Sequence, residues 1–203
     1  MKNYIVINDM KIPLTDEQIR DITAAYNAQG IKLHDVPTGS TFKLGDHEFV
    51  VLEQFADVAA VIRKEPLPAR CTFGENNNYD GSNPDRLCCE FAEELIAAVG
   101  IENVMTHVVD LTADDGLKDY GTVERAVSLL TAGEYRHYVE ILDKFKPNSW
   151  WWLATPHSTA AHENADWVKC VSPSGYFYYD CCNYSDLGVR PFCILKSNIF
   201  VSI

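Results

Sequence analysis

A chain of 203 residues, 47% hydrophobic and 23% charged, favours one domain with an appendage and excludes a disordered segment. A formal charge of -12 and a pI near 4.8, with no cluster of Lys or Arg, exclude a phosphate-neutralising surface, so no nucleic-acid partner is expected and the acidity is read as solubility. No apolar run is long enough for a membrane helix and the N-terminus lacks the apolar core and cleavage site of a secretory signal, so no membrane partner is expected.

From the N-terminus, Tyr4 to Leu14 alternates as two short strands around Asn8 and Asp9, and Thr15 with Gln18 opens a helix carrying Ile19, Ile22, Ala25 and Tyr26 as far as Gly30. Residues 1–34 are therefore expected to form a hairpin-and-helix extension, and 35–203 the main domain. FKLG and HEFVVLEQF, turned at Gly45 and Asp46, and then DVAAVIRK predict a meander that the prolines of 65–70 end. Cys71 to Gly81 is a polar loop, read as a surface connection held by Asn and Asp turns. Ser82 or Asn83 caps a helix with Pro84 in its first turn, running through Leu87, Phe91, Leu95 and Ile96 to Gly100. Cys88 and Cys89 point different ways within it, so at least one is a core residue.

Val104 to Leu111 and Thr122 to Leu130 read as strands joined by a turn, and Thr131 with Glu134 caps a second helix that Pro147 closes. Strands and helices do not alternate regularly, so the fold class is α+β. The last quarter organises the chain. Trp150 to Leu153 and Val189 to Leu195 are apolar flanks, whereas 154–186 is small, polar and aromatic, and Tyr176 to Asp186 has the Tyr, Ser, Asn and Asp composition of an antibody-like contact surface. In a strand Trp150 and Trp152 share one face and Trp151 the other, so at least one is core, and Arg190 between apolar neighbours is a framework residue pairing with a carboxylate or carbonyl.

Chemistry is harder to place. Asp110 to Gly116 is a solvated turn, because the twelfth position of a calcium loop falls on Gly121. His157, His162, Cys170, Cys181 and Cys182 lack paired zinc spacing, and GxSxG, GxGxxG, P-loop and HExxH signatures are absent. His34, His47, His107 and His137 read as surface or structural residues. Seven cysteines without a repeated spacing suit a reducing compartment. Neither metal nor cofactor is expected, and no catalytic residue is assigned.

WWWLATP at 150–156, GYFYYD at 175–180, GVRPFCIL at 188–195 and the FGENNNYDGSNPDRL stretch ending at Leu87 resemble uncharacterised bacterial and phage proteins of the C-type-lectin-like fold. That branch is shared with formylglycine-generating enzymes and with the variable proteins of diversity-generating retroelements, in which adenine-directed mutagenesis rewrites codons near the C-terminus of a fixed fold. The resemblance implies a C-type-lectin-like domain displaying a variable segment within 154–186, binding a ligand that is expected to be a protein. Its exposed contact positions would be His157, Ser158, His162, Asn164, Asp166, Tyr176, Tyr178, Asp180, Cys181, Asn183, Tyr184 and Asp186. Its framework would be Trp151, Trp152, Gly188, Val189, Arg190 and Pro191. Calcium-dependent lectin motifs are missing, since only Glu65-Pro66-Leu67 stands where EPN or QPD would, and Cys181 and Cys182 are adjacent where the formylglycine branch has separated cysteines. The alternatives are a thiol- or copper-dependent oxidase on the same fold, or a structural component of a phage or mobile element. A cytoplasmic location is expected, or a virion-associated one for a phage-encoded chain.

Overall fold

Two unbroken apolar runs, Phe49–Leu52 and Trp151–Ala154, set the architecture, because a strand made only of apolar residues must be covered on both faces. The structure is a computed structural model that describes residues 4–7, 10–15, 17–18 and 30–203. Its strands begin with β1 (Tyr4–Ile7), β2 (Met10–Pro13), β3 (Ile31–Lys32), β4 (Thr41–Leu44), β5 (His47–Gln54), β6 (Val58–Arg63) and β7 (Arg70–Cys71). Helix α1 (Asn83–Val99), β8 (Val104–Met105), β9 (His107–Asp110), β10 (Thr122–Arg125), β11 (Val127–Ser128) and α2 (Ala132–Leu142) follow. The chain ends with β12 (Trp151–Pro156), β13 (Trp167–Val171), β14 (Phe177–Cys181), β15 (Leu187–Gly188), β16 (Phe192–Lys196) and β17 (Phe200–Val201). The fold is mixed α+β.

One sheet runs β11-β16-β6-β5-β4 with β8 also on β16, and a second runs β14-β13-β12-β15-β7. In β5, Phe49 and Val51 enter the larger core with Phe91 and Leu95 of α1, while Val50 and Leu52 enter a smaller core with Tyr135 and Leu142 of α2. β12 divides in the same way: Trp152 and Ala154 face the larger core, Trp151 and Leu153 the smaller. Both tryptophans are buried, whereas Trp150 just before them is at the surface.

Local signals account for the element ends. Gly45 takes the positive φ (58°) that the β4–β5 turn requires. The Ser82 hydroxyl accepts from Asp85 N to cap α1, and Thr131 and Glu134 form a reciprocal box at the start of α2. Thr15 and Gln18 make the same reciprocal contacts, although the helix expected beyond them lies outside the described residues, as do the hairpin-turn residues 8 and 9. Residues 31–34 are built into the main body: β3 pairs with β17, Leu33 is fully buried, and Leu33 and His34 donate to Ile199 O and Ser197 O.

Two stretches expected as single strands change partner midway. Val104–Met105 pairs with β16 and His107–Asp110 with β10; Val127–Ser128 pairs with β16 and Thr122–Arg125 with β9. Beside the break, the Arg125 guanidinium binds Asp85 at 2.7 Å and Asp80 at 2.7 Å.

The segment 188–191 carries the chain from one sheet to the other. Gly188 N donates to Trp150 O, and a Cβ on Gly188 would lie 2.8 Å from the Pro66 side chain, so only glycine fits this approach. Arg190 is wholly buried: its Nε donates to Arg63 O at 2.9 Å, its Nη2 to Phe145 O at 3.0 Å, and its guanidinium lies 5.2 Å from the Trp151 ring. Burial pulls its pKa down to about 10 against the opposing field of Glu65, and its hydrogen-bond partners are carbonyls. Arg190→Ala should lower the unfolding free energy in urea by about 3–5 kcal/mol, through lost packing and two stranded carbonyls. Arg190→Lys should cost less but remain destabilising, because an ammonium cannot bridge both carbonyls in plane. A cost below about 1 kcal/mol for the alanine variant would show that this residue does not tie the sheets.

Candidate binding face

The side-chain alternation of β14 decides what reaches water. In its register against β13, Cys170↔Tyr178 and Lys169↔Tyr179, Phe177 turns towards α2, while the Tyr178 and Tyr179 rings stack on one another with centroids 5.1 Å apart. Phe177 stacks on Tyr135 at 5.6 Å, whereas Tyr176 and Tyr178 lie 6.1 Å apart with Trp150 6.2 Å from Tyr178. Tyr176, Tyr178 and Tyr184 are 65%, 46% and 50% exposed; the first two lie together at the start of β14, and Tyr184 stands in the turn after it.

The turns around this row are held from behind by Asn77, a fully buried residue of the 71–81 loop. Its Nδ2 donates to Ser158 O at 2.8 Å and Trp167 O at 3.0 Å, its Oδ1 accepts from the Tyr120 hydroxyl at 2.7 Å, and its backbone N–H donates to Ala165 O. Cys182 completes the lacing: its N–H donates to Asp166 O and its carbonyl accepts from Phe73 N. Asn77 thus ties three segments, 71–81, 113–120 and 157–167, and Cys182 joins 181–186 to them. Asn76 and Asn78 make the expected side-chain turns, accepting from Asn78 N and Asp80 N.

A second polar set lies between β13 and α2. Lys169 is almost wholly buried, yet its Nζ reaches Asp114 at 3.1 Å and lies 4.3 Å from the centre of the Phe177 ring; Arg136 binds the other Asp114 oxygen at 2.7 Å. Burial would raise the Asp114 pKa, but the hydrogen bonds from Arg136 and Lys169 outweigh it and hold it below the ordinary carboxylate value. His157 stacks on Tyr179 at 4.4 Å with its Nδ1 unpartnered and 4.0 Å from Asp114. Asp115 accepts from the Ser158 hydroxyl at 2.6 Å and lies 3.1 Å from His162 Nδ1, and the Ser158 bond leads in lowering its pKa.

The expected contact positions therefore separate. His162, Asp166, Tyr176, Tyr178, Asn183, Tyr184 and Asp186 are exposed, and His157, Asn164, Asp180 and Cys181 are half-buried. Ser158, expected at the surface, is only 5% exposed, because its hydroxyl is spent on Asp115 and its carbonyl on Asn77. Asp186 is held by Arg70 at 2.5 Å. Trp151, Trp152, Gly188, Val189, Arg190 and Pro191 are all buried. Beside the face opens a polar cleft of about 530 Å³ lined by the 72–83 loop, Arg86 and Asn183. The sequence does not single out Asn77 or Lys169, apart from the run of three asparagines at 76–78, and Asp114, expected in a solvated turn, instead binds the buried Lys169.

Burial raises every thiol whose shift is resolved: Cys71 and Cys182 to about 11, Cys170 to about 12, Cys88, Cys89 and Cys193 also upwards. Among the described residues no group of three or more His, Cys, Asp or Glu is placed to hold a metal ion. Nor is any helix among them long and apolar enough to cross a membrane. Comparison of the chain with protein-family models, with curated proteins and with solved structures gives no match in any of the three.

Two substitutions test this lacing. Asn77→Asp keeps the shape but turns a donor pair into an acceptor facing two carbonyls, and should lower the unfolding free energy at pH 7 by about 2–4 kcal/mol; a loss under about 0.5 kcal/mol would contradict the role given to this amide. Asp115, with its pKa depressed in the folded state, stabilises above its unfolded value of about 3.9, and that stability is lost as pH falls through its folded pKa. The melting-temperature gap between the native chain and Asp115→Asn should be full at pH 6 and close below about pH 4; a gap independent of pH would contradict it.

Proposed function

We propose that the chain is a binding protein, in which a C-type-lectin-like frame displays the face built from 157–166 and 176–186 to a protein ligand. The observation that carries this reading is the exposure of Tyr176, Tyr178 and Tyr184 on backbone anchored by hydrogen bonds. Large rings exposed on an ordered surface offer apolar contact area and a polar tip at little further cost in conformational entropy. The exposed Asp166 and Asn183 add adaptable polar contacts. Diversification of these positions by a retroelement, and a phage or prophage setting, belong to the same proposal. A thiol-dependent oxidase draws no support from thiols that burial keeps protonated near neutral pH.

The test separates frame from face. Tyr176, Tyr178, Asn183 and Tyr184 replaced together by Ser should change the unfolding free energy by less than about 2 kcal/mol, since exposed positions tolerate substitution. The same four positions randomised and selected by display against a purified protein such as lysozyme should yield specific, folded binders. Loss of cooperative unfolding in the serine variant, or a library without folded binders, would overturn the reading.

A further inference from the structure

The polar cleft beside the face has two walls joined by main-chain hydrogen bonds. One wall is the 72–83 loop with Arg86 of α1, and the other is Asn183 in the turn after β14. Phe73 N and Gly74 N both donate to Cys182 O, at 2.7 and 3.2 Å, so the walls are fixed relative to one another. A volume of about 530 Å³ lies within the roughly 300–1,000 Å³ usual for small-molecule sites. The backbone of the longer wall is spent on the fold: Asn83 N donates to Phe73 O, Asp85 N to the Ser82 hydroxyl, Arg86 N to Ser82 O and Gly81 N to Asp85. The start of α1 therefore offers the cleft none of these donors, and side chains are left to meet a ligand. Asn76 and Asn78 commit their side-chain oxygens to Asn78 N and Asp80 N, which leaves the Nδ2 half of each amide to donate.

Charge selects the occupant. Glu75, Asp80 and Arg86 are the charged side chains of the lining. Asp80 is neutralised by Arg125, 2.7 Å away. Glu75 makes no ion pair or hydrogen bond with a described residue, and Arg86 is bound through Nη2 to Asn83 Oδ1. Two exposed groups of opposite sign thus line one cleft without pairing with each other. A lone anion would meet Glu75 and a lone cation would meet Arg86, whereas a molecule carrying both charges can set each against its opposite.

We infer that this cleft binds a free α-amino acid, its carboxylate on Arg86 and its ammonium on Glu75. Asn83 takes one of the five N–H groups of the guanidinium, and the others can grip a planar carboxylate side by side. The amides of Asn76, Asn78 and Asn183 line the rest of the cleft and favour a polar, uncharged side chain. The site stands apart from the protein-binding reading above and shares only Asn183 with its face.

The probe is L-glutamine, titrated into the whole ¹⁵N-labelled chain and followed at the side-chain amides of Asn76, Asn78 and Asn183. Saturable shifts with a Kd at or below about 1 mM are expected. N-acetyl-L-glutamine, which lacks the ammonium, and L-glutaminamide, which lacks the carboxylate, should each bind at least about tenfold more weakly. Glu75→Gln keeps size and shape at an exposed position; it should weaken L-glutamine by at least about tenfold and leave N-acetyl-L-glutamine no weaker than before. Arg86→Ala should abolish L-glutamine binding. Should that variant unfold, Glu75→Gln and the two blocked amino acids decide on folded protein. The other standard amino acids, titrated in the same way, cover the choice of side chain. No saturable shift with any of them, or equal binding of L-glutamine and N-acetyl-L-glutamine to the native chain, overturns the inference.

Discussion

The geometry of the face depends on one buried carboxamide. Asn77 has a donor group and an acceptor group, and the structure uses both, together with its backbone N–H, to join its own loop to the distant segments 113–120 and 157–167. Loops cannot ordinarily enter a core, because their backbone polar groups would be left without partners. Here the carbonyls of Ser158, Ala165 and Trp167 turn inward and find a partner in Asn77, so the outward side of the same loops is set without being consumed. Position is fixed from within, and contact chemistry is left outside.

The frame behind this knot is built on a different principle. β5 and β12 bury both faces, so alternate residues serve two cores, and neither core can shift without pulling on the other. Arg190 sits where the chain passes between the sheets, and its planar fork reaches carbonyls on two segments, Arg63 and Phe145, that are otherwise unconnected by sequence. The desolvation that lowers its pKa is the cost of that tie, offset in part by the Trp151 ring.

Local rules made much of the scaffold legible: the Gly45-Asp46 turn, the Ser82 and Thr131 caps, a buried tryptophan within 150–152 and the framework place of Arg190 follow from spacing and residue type. Long-range facts were not legible. The breaks within 104–111 and 122–130 come from a change of strand partner, and no local pattern encodes the partner. Ser158 reads as a surface serine until Asp115 and Asn77 arrive from elsewhere in the chain. Lys169 carries no signal in the sequence, yet Asp114, 55 positions away, lets its ammonium stay buried. In each case the deciding contact is made by a residue tens of positions away.

Native-state hydrogen exchange measured across increasing denaturant tests this account most directly, at the amides of Asn77, Cys182 and Phe73, which hold the loops to one another. If the face is locked from behind, these three protons exchange through global unfolding, with the same free energy and denaturant dependence as core amides such as Val51 of β5. If they exchange through small local openings with little denaturant dependence, the loops are mobile, and the separation of a fixed frame from an adaptable face does not hold.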